Sequence, residues 1–218
     1  MAGLIFERMQ RYFIKTPWLV KRIFSSYVWS LPATDKRLYL TFDDGPHPAI
    51  TPWVLDELKK FDAKATFFCI GKNVCDHPQV FQQISTEGHS IGNHTFHHLN
   101  GWKTPAKEYM ADVEAAAACL PTNLFRPPYG RIKRSQAAGI RSVFPNAKII
   151  MWDVLSGDFD QSISPEQCLQ NVLQKTVPGS IIVFHDSEKA YPHLAYALPK
   201  VLAAFAASGY SFKAINNV

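Results

Sequence analysis

The 218-residue sequence predicts an α/β fold, a closed or nearly closed barrel of about seven parallel strands with helices outside, on three observations. Short apolar runs alternate with amphipathic stretches, a rhythm that calls for parallel strands joined by right-handed crossovers. A 47% hydrophobic content over this length fills one large core rather than two. The conspicuous polar residues, Asp43, Asp44, Asn93, His94, Arg126, Asp158, His185 and Asp186, fall where strands end, and in a β/α barrel those ends share one mouth.

The first strand is RLYLTF (residues 37–42), and TPWVLDELKKF (51–61) follows as a helix with Thr51 at the N-cap and Pro52 at the first helical position. ATFFCI (65–70) is a strand, the next helix runs over 78–87 until Gly88 stops it, and HSIGN (89–93) is a short strand. Thr104-Pro105 opens an Ala-rich helix that ends near Leu120, and LFR before Pro127-Pro128 is a brief strand end. KIIMWDV (148–154) and SIIVFHD (180–186) are strands, separated by a helix that Ser164 caps ahead of Pro165. A last helix over 194–208 and a terminal strand, SFKAI, complete the chain.

Residues 1–36 form a basic, aromatic helical extension to the domain at 37–218, and their removal is expected to leave the chemistry intact. Net charge is +5, with Arg8, Arg11, Lys15, Lys21 and Arg22 crowded near the start, but no recognition motif accompanies the charge and no nucleic-acid partner is expected. Charges interrupt every apolar run there, so neither a membrane span nor a signal-peptide layout is present and a cytoplasmic location is the default. A helix of this kind packs Leu4, Ile5, Phe13 and Trp18 against the domain, although the same pattern could lie peripherally on an acidic lipid surface. Four cysteines without a CxxC pair point to reduced thiols rather than a thiolate zinc site or a disulfide framework.

LTFDDGPHP (40–48) ends an apolar strand in two adjacent carboxylates, which repel unless solvent, a cation or a basic group relieves them. HTFHH (94–98) supplies imidazoles, and His94 with His98 at i, i+4 would share one face of a helical turn. Two imidazoles with the Asp44 carboxylate suit one divalent transition metal, zinc first and cobalt, nickel or manganese besides. Asp43 cannot easily bind the same ion from the neighbouring position, and becomes the candidate general base. His185 is the candidate acid, Arg126 could pair with Asp43, and Asp158 could orient His185 or raise its pKa. Such a set hydrolyses amides and esters.

These residues resemble the polysaccharide deacetylases, carbohydrate esterase family 4 or the NodB-homology family, from about Arg37 to the C-terminus. TFDDGP, HTFHH, RPPYG, WDVLSGDF and IVFH match the family's five motifs in order. The resemblance implies a distorted (β/α) barrel and metal-dependent removal of acetyl from an N-acetylated glycan such as one containing N-acetylglucosamine. It implies Asp43 as base, Asp44, His94 and His98 as metal ligands, and His97 as the unused imidazole. It further implies Arg126 paired with Asp43, the Tyr129 backbone N–H at the oxyanion, and Asp158 tuning His185 as the acid. Leu155 and Phe159, both near the acetyl or sugar pocket by that resemblance, depart from the usual Asp and Trp of the fourth motif, while Ile182 and Phe184 replace leucines and would keep a methyl-sized pocket. The same metal chemistry on a small non-sugar N-acyl compound, or a catalytically silent glycan-binding barrel, are the other readings.

Overall fold

A computed structural model describes residues 12–32 and 34–216. Seven parallel strands follow the order β5-β4-β3-β2-β1-β7-β6, a curled half-barrel with helices outside, and an eighth short strand pairs with β1. The strands are β1 (Arg37–Asp43), β2 (Thr66–Cys69), β3 (Ser90–Asn93), β4 (Leu124–Phe125), β5 (Lys148–Ile149), β6 (Val154–Leu155), β7 (Ile181–His185) and β8 (Ser211–Phe212). The helices are α1 (Trp18–Ile23), α2 (Ile50–Lys59), α3 (Gly71–Asp76), α4 (Pro78–Thr86), α5 (Ala106–Cys119), α6 (Arg134–Val143), α7 (Pro165–Lys175) and α8 (Tyr191–Ala207).

Alternation along the strands divides the core. Leu40, Phe42, Phe67, Ile182 and Phe184 face the helix layer, where they pack with Val54, Leu58, Leu194 and Leu198. Tyr39, Phe68, Leu124, Ile150 and Ile181 fill the barrel interior. Each fully buried side chain of this size stabilises the fold by about 1.5–3 kcal/mol. Ile182 and Phe184, expected beside the substrate, are both 0% exposed in the helix-facing layer. His185 takes the opposite face from Phe184, because neighbouring strand residues point to opposite sides.

The expected strand at residues 148–154 is two short ones. β5 pairs with β4 at one edge of the sheet and β6 with β7 at the other, so this stretch of chain crosses the seam between the edges. Residues 12–32 run along the same seam. Val28 N–H donates to Ile149 O and Met151 N–H to Val28 O, while Thr16 N–H donates to Asp153 O and Leu155 N–H to Ile14 O. Leu31 N–H adds a bond to Gly179 O. Lys15 and Lys21 both reach the buried Asp153 carboxylate, which also accepts from the Ser180 hydroxyl.

Phe13 and Trp18, expected to pack inward, are 65% and 69% exposed, and α1 buries none of its residues; Leu4 and Ile5 lie outside the described residues. No helix among the described residues is long and apolar enough to cross a membrane. At α2 the helix starts two residues earlier than expected, with Ala49 rather than Thr51 at the N-cap. His47 Nδ1 accepts from the Ala49 and Ile50 N–H groups, and Thr51 turns its hydroxyl inward instead. Ser164 caps α7 as expected, accepting from Gln167 N–H at 3.0 Å.

Candidate active site

Asp43 ends β1 in register with His185 at the end of β7, so pairing alone brings a carboxylate and an imidazole to the same rim. The chain then leaves the extended conformation: Asp44 has φ 82°, which separates the two neighbouring carboxylates. Thr95, His98 and Tyr129 also have positive φ, so four of the five non-glycine residues with this strain among those described lie around one mouth. Gly45 is required by a close approach, since a Cβ there would stand 2.1 Å from Asp186 Oδ2. Asp186 accepts from Gly45 N–H and the Thr51 hydroxyl, and burial, with the charge of Asp44, pushes its pKa up to about 7.

Asp43 is gripped from below by Arg126, which is 0% exposed. One guanidinium nitrogen donates to Asp43 Oδ1 and to Thr41 Oγ1, each at 2.7 Å; the others donate to Ile150 O and Met151 O. The cation lies 4.0 Å from the Phe68 ring centre, so its remaining face is covered by an aromatic surface. Burial pulls the Arg126 pKa down and Asp43 opposes that fall.

Asp44, His94 and His98 face one another, with one ligand atom from each within 4.8 Å of the others. Asp44 Oδ1 is 3.2 Å from His98 Nε2 and 3.8 Å from His94 Nε2, yet it is buried without a hydrogen bond among the described residues. An unsatisfied carboxylate oxygen facing two imidazole nitrogens is a donor set that could hold a transition metal. His94 Nδ1 lies 2.7 Å from Arg126 O, a partner that fixes Nδ1–H and leaves Nε2 as the free lone pair. Burial lowers the His94 pKa to about 4, which keeps that imidazole neutral. For Asp44 burial acts to raise the pKa, but the contacts of His98, His185 and His94 prevail and hold it below the usual carboxylate range.

The expected helical turn joining His94 to His98 is absent. Residues 94–98 form an irregular loop in which Thr95 N–H bonds Asn93 Oδ1 and Leu99 N–H bonds Thr95 Oγ1. The two ligand rings nonetheless come within 5.1 Å, centre to centre. His97 turns away to Asp112, with Nδ1 2.6 Å from Oδ1.

Across the mouth Asp158 holds His185 twice, accepting from its backbone N–H at 2.7 Å and meeting ring Nδ1 at 2.8 Å. Burial alone would lower the His185 pKa, but Asp158, with Asp44 and Asp43 beyond it, raises it to about 10. Phe159 meets the His185 ring edge-on at 5.3 Å, and Tyr129, 60% exposed, covers His98 at 4.6 Å. His94, His98, Asp44 and Asp43 thus converge with Arg126, Asp158 and His185, while His97, Ile182 and Phe184 do not. Thr51, Asn73 and Asp112 support the site without having been singled out for it, and Asp186, placed at the mouth by its strand end, was given no role there; Thr51 offered a hydroxyl that reads equally well as a cap.

A parallel barrel whose mouth sets a paired carboxylate beside a metal donor set and opposite a carboxylate-bound histidine defines a hydrolase of the β/α class. Comparison with known proteins narrows the class. The family model described as polysaccharide deacetylase matches residues 30–143, more than half of the chain, and the chain belongs to that family. It is 36% identical to a peptidoglycan-N-acetylglucosamine deacetylase of Bacillus cereus over 74% of its own length and 60% of that protein's, so it spans about three fifths of that relative. It is 34% identical to a chitooligosaccharide deacetylase of Azorhizobium caulinodans, over 68% of this chain and 73% of the other. A crystal structure of a peptidoglycan N-acetylglucosamine deacetylase in complex with 4-naphthalen-1-yl-N-oxidanyl-benzamide superposes with a TM-score of 0.78 at 30% identity, covering 92% of this chain and 95% of that one.

Proposed function

We propose that this protein is a metal-dependent deacetylase that removes the N-linked acetyl group from N-acetylglucosamine units of a glycan, peptidoglycan or a chito-oligosaccharide. The observation that carries the reading is the buried, unpartnered Asp44 Oδ1 aimed at two imidazoles, one residue from a carboxylate locked by Arg126.

Asp44, His94 and His98 would hold the ion, zinc first, with cobalt, nickel and manganese as other candidates. When bound, such an ion supplies Lewis-acid polarisation of the amide carbonyl and acidifies water. Asp43 accepts the proton of the attacking water, held in position by Arg126, whose other bonds leave it no freedom to swing away. His185, kept as an imidazolium by Asp158, gives its proton to the departing amine nitrogen. The Tyr129 backbone N–H takes part of the oxyanion charge, and Phe159 with the Tyr129 ring borders the acyl group and the sugar.

Acetate release from chito-oligosaccharides and peptidoglycan fragments, by protein stripped of metal and then supplied with zinc or cobalt, tests the proposal. Release that follows added metal is expected. Glycan binding without acetate, or activity confined to small non-sugar N-acyl compounds, would overturn it.

A further inference from the structure

We infer that Cys75 and Cys119 are a disulfide-forming pair, a modification site on the outer face of the helix layer. Cys75 lies near the end of α3 and Cys119 is the last residue of α5, and their sulfurs stand 3.1 Å apart as free thiols. A disulfide brings two sulfurs to about 2.05 Å, so the remaining approach is a side-chain adjustment at two helix ends rather than a rearrangement of the fold. Access is also graded. Cys75 is exposed and Cys119 only half-buried, whereas Cys69 and Cys168 are sealed in the helix-facing core.

The oxidant required is a small disulfide such as oxidised glutathione. The Cys75 sulfur, reached first because it is exposed, attacks one sulfur of that disulfide as a thiolate and expels one small thiol. The Cys119 sulfur, after losing its proton to solvent, displaces the second. Two thiols are oxidised, one small disulfide is reduced to two thiols, and the new bond joins residues 44 positions apart in the chain.

What the bond would tie together gives the pair its consequence. The loop at residues 94–98 is held between the two helices that carry these cysteines. From the α3 side Gly71 N–H donates to Thr95 O and Lys72 N–H to Phe96 O, while Asn73 Nδ2 donates to Asp44 O. From the α5 side Asp112 accepts from the Phe96 and His97 N–H groups and pairs with the His97 ring. A bond between Cys75 and Cys119 fastens the two jaws of this clamp to each other, and the closed segment contains His94 and His98. The stabilisation arises largely by restricting the unfolded chain, and the chain so restricted carries the loop and helix that position the mouth.

The full-length protein is equilibrated in buffers of increasing oxidised-to-reduced glutathione ratio, quenched with acid, alkylated in denaturant and mapped by peptide mass. The expected product is a monomer that has lost two hydrogens, with a Cys75–Cys119 peptide link and alkylatable thiols left only at Cys69 and Cys168. Its Tm should exceed that of the reduced protein by about 5–10 °C, and Cys119→Ser should show no such rise under the same oxidant. Four free thiols throughout, glutathione persisting on Cys75, or a link between two chains would overturn the assignment, and a link without any rise in Tm would overturn the clamp. These readouts need neither bound metal nor turnover, so their failure is separable from failure of the deacetylase proposal.

Discussion

The middle of the sheet and its seam are built by different means. β1 pairs with β7 over five residues and with β2 over three, and this continuous ladder sets Asp43 opposite His185. β5 and β6 are two residues each, and the space between them is bridged by backbone bonds from residues 12–32 and by two lysines on one buried aspartate. Asp43 and His185, the candidate base and acid, sit on the ladder, where register fixes position. The seam supplies closure, through a segment whose Tyr12 reaches toward the mouth, its ring 5.1 Å from Phe159 and its hydroxyl on Asp160. A site that must hold a base and an acid in fixed relation gains from being seated on the more rigid part.

The largest difference should follow from deleting residues 1–32. Their bonds to Ile149, Met151, Asp153 and Leu155 predict loss of cooperative folding and insoluble protein, against the sequence-based expectation that the chemistry survives without them. A soluble truncated protein with an unchanged melting curve would show the seam closes unaided. Next, Arg126→Met strikes the ladder itself by leaving Asp43 buried without its partner, at a cost of about 3–5 kcal/mol in urea unfolding. Asp153→Ala strikes the seam, and because Lys15 and Lys21 remain partly exposed the cost should be smaller, about 1–3 kcal/mol, with kcat nearly unchanged. The ordering of these two losses is itself the test, and a larger loss at Asp153 would reverse the comparison.

Asp158→Asn should alter pH dependence more than stability. A group that must be protonated to act loses activity as pH rises through its pKa, and Asp158 is the foremost cause raising that of His185. The alkaline limb of kcat/KM should therefore move to lower pH, by about one unit or more. An unmoved limb would take the acid role away from His185.

The centre of the molecule was legible because its signals are contiguous. TFDD and IVFH each combine a strand with the residue that ends it, and Ser164-Pro165 announces a helix through a cap whose partner is three residues away. Signals that depend on distant chain were harder to read. KIIMWDV has the composition of one strand, and only the positions of β4 and β7 divide it between two edges. Thr51 looks like a cap until Asp186, far along the chain, claims its hydroxyl. His94 and His98 have helical spacing, yet positive φ at Thr95 and His98 brings the rings together by another route. Ile182 and Phe184 were placed by motif position, where alternation from His185 already assigns Phe184 to the other face.

The central claim is a division of labour between two adjacent carboxylates, one locked to Arg126 and the other facing His94 and His98. Metal content and acetate release, measured on the same preparations of Asp43→Asn and Asp44→Asn, test it most directly. Asp43→Asn should retain the metal and lose about 10²–10⁴-fold in kcat, whereas Asp44→Asn should lose the metal itself. Metal lost from Asp43→Asn and retained by Asp44→Asn, or full turnover in Asp43→Asn, would contradict the account.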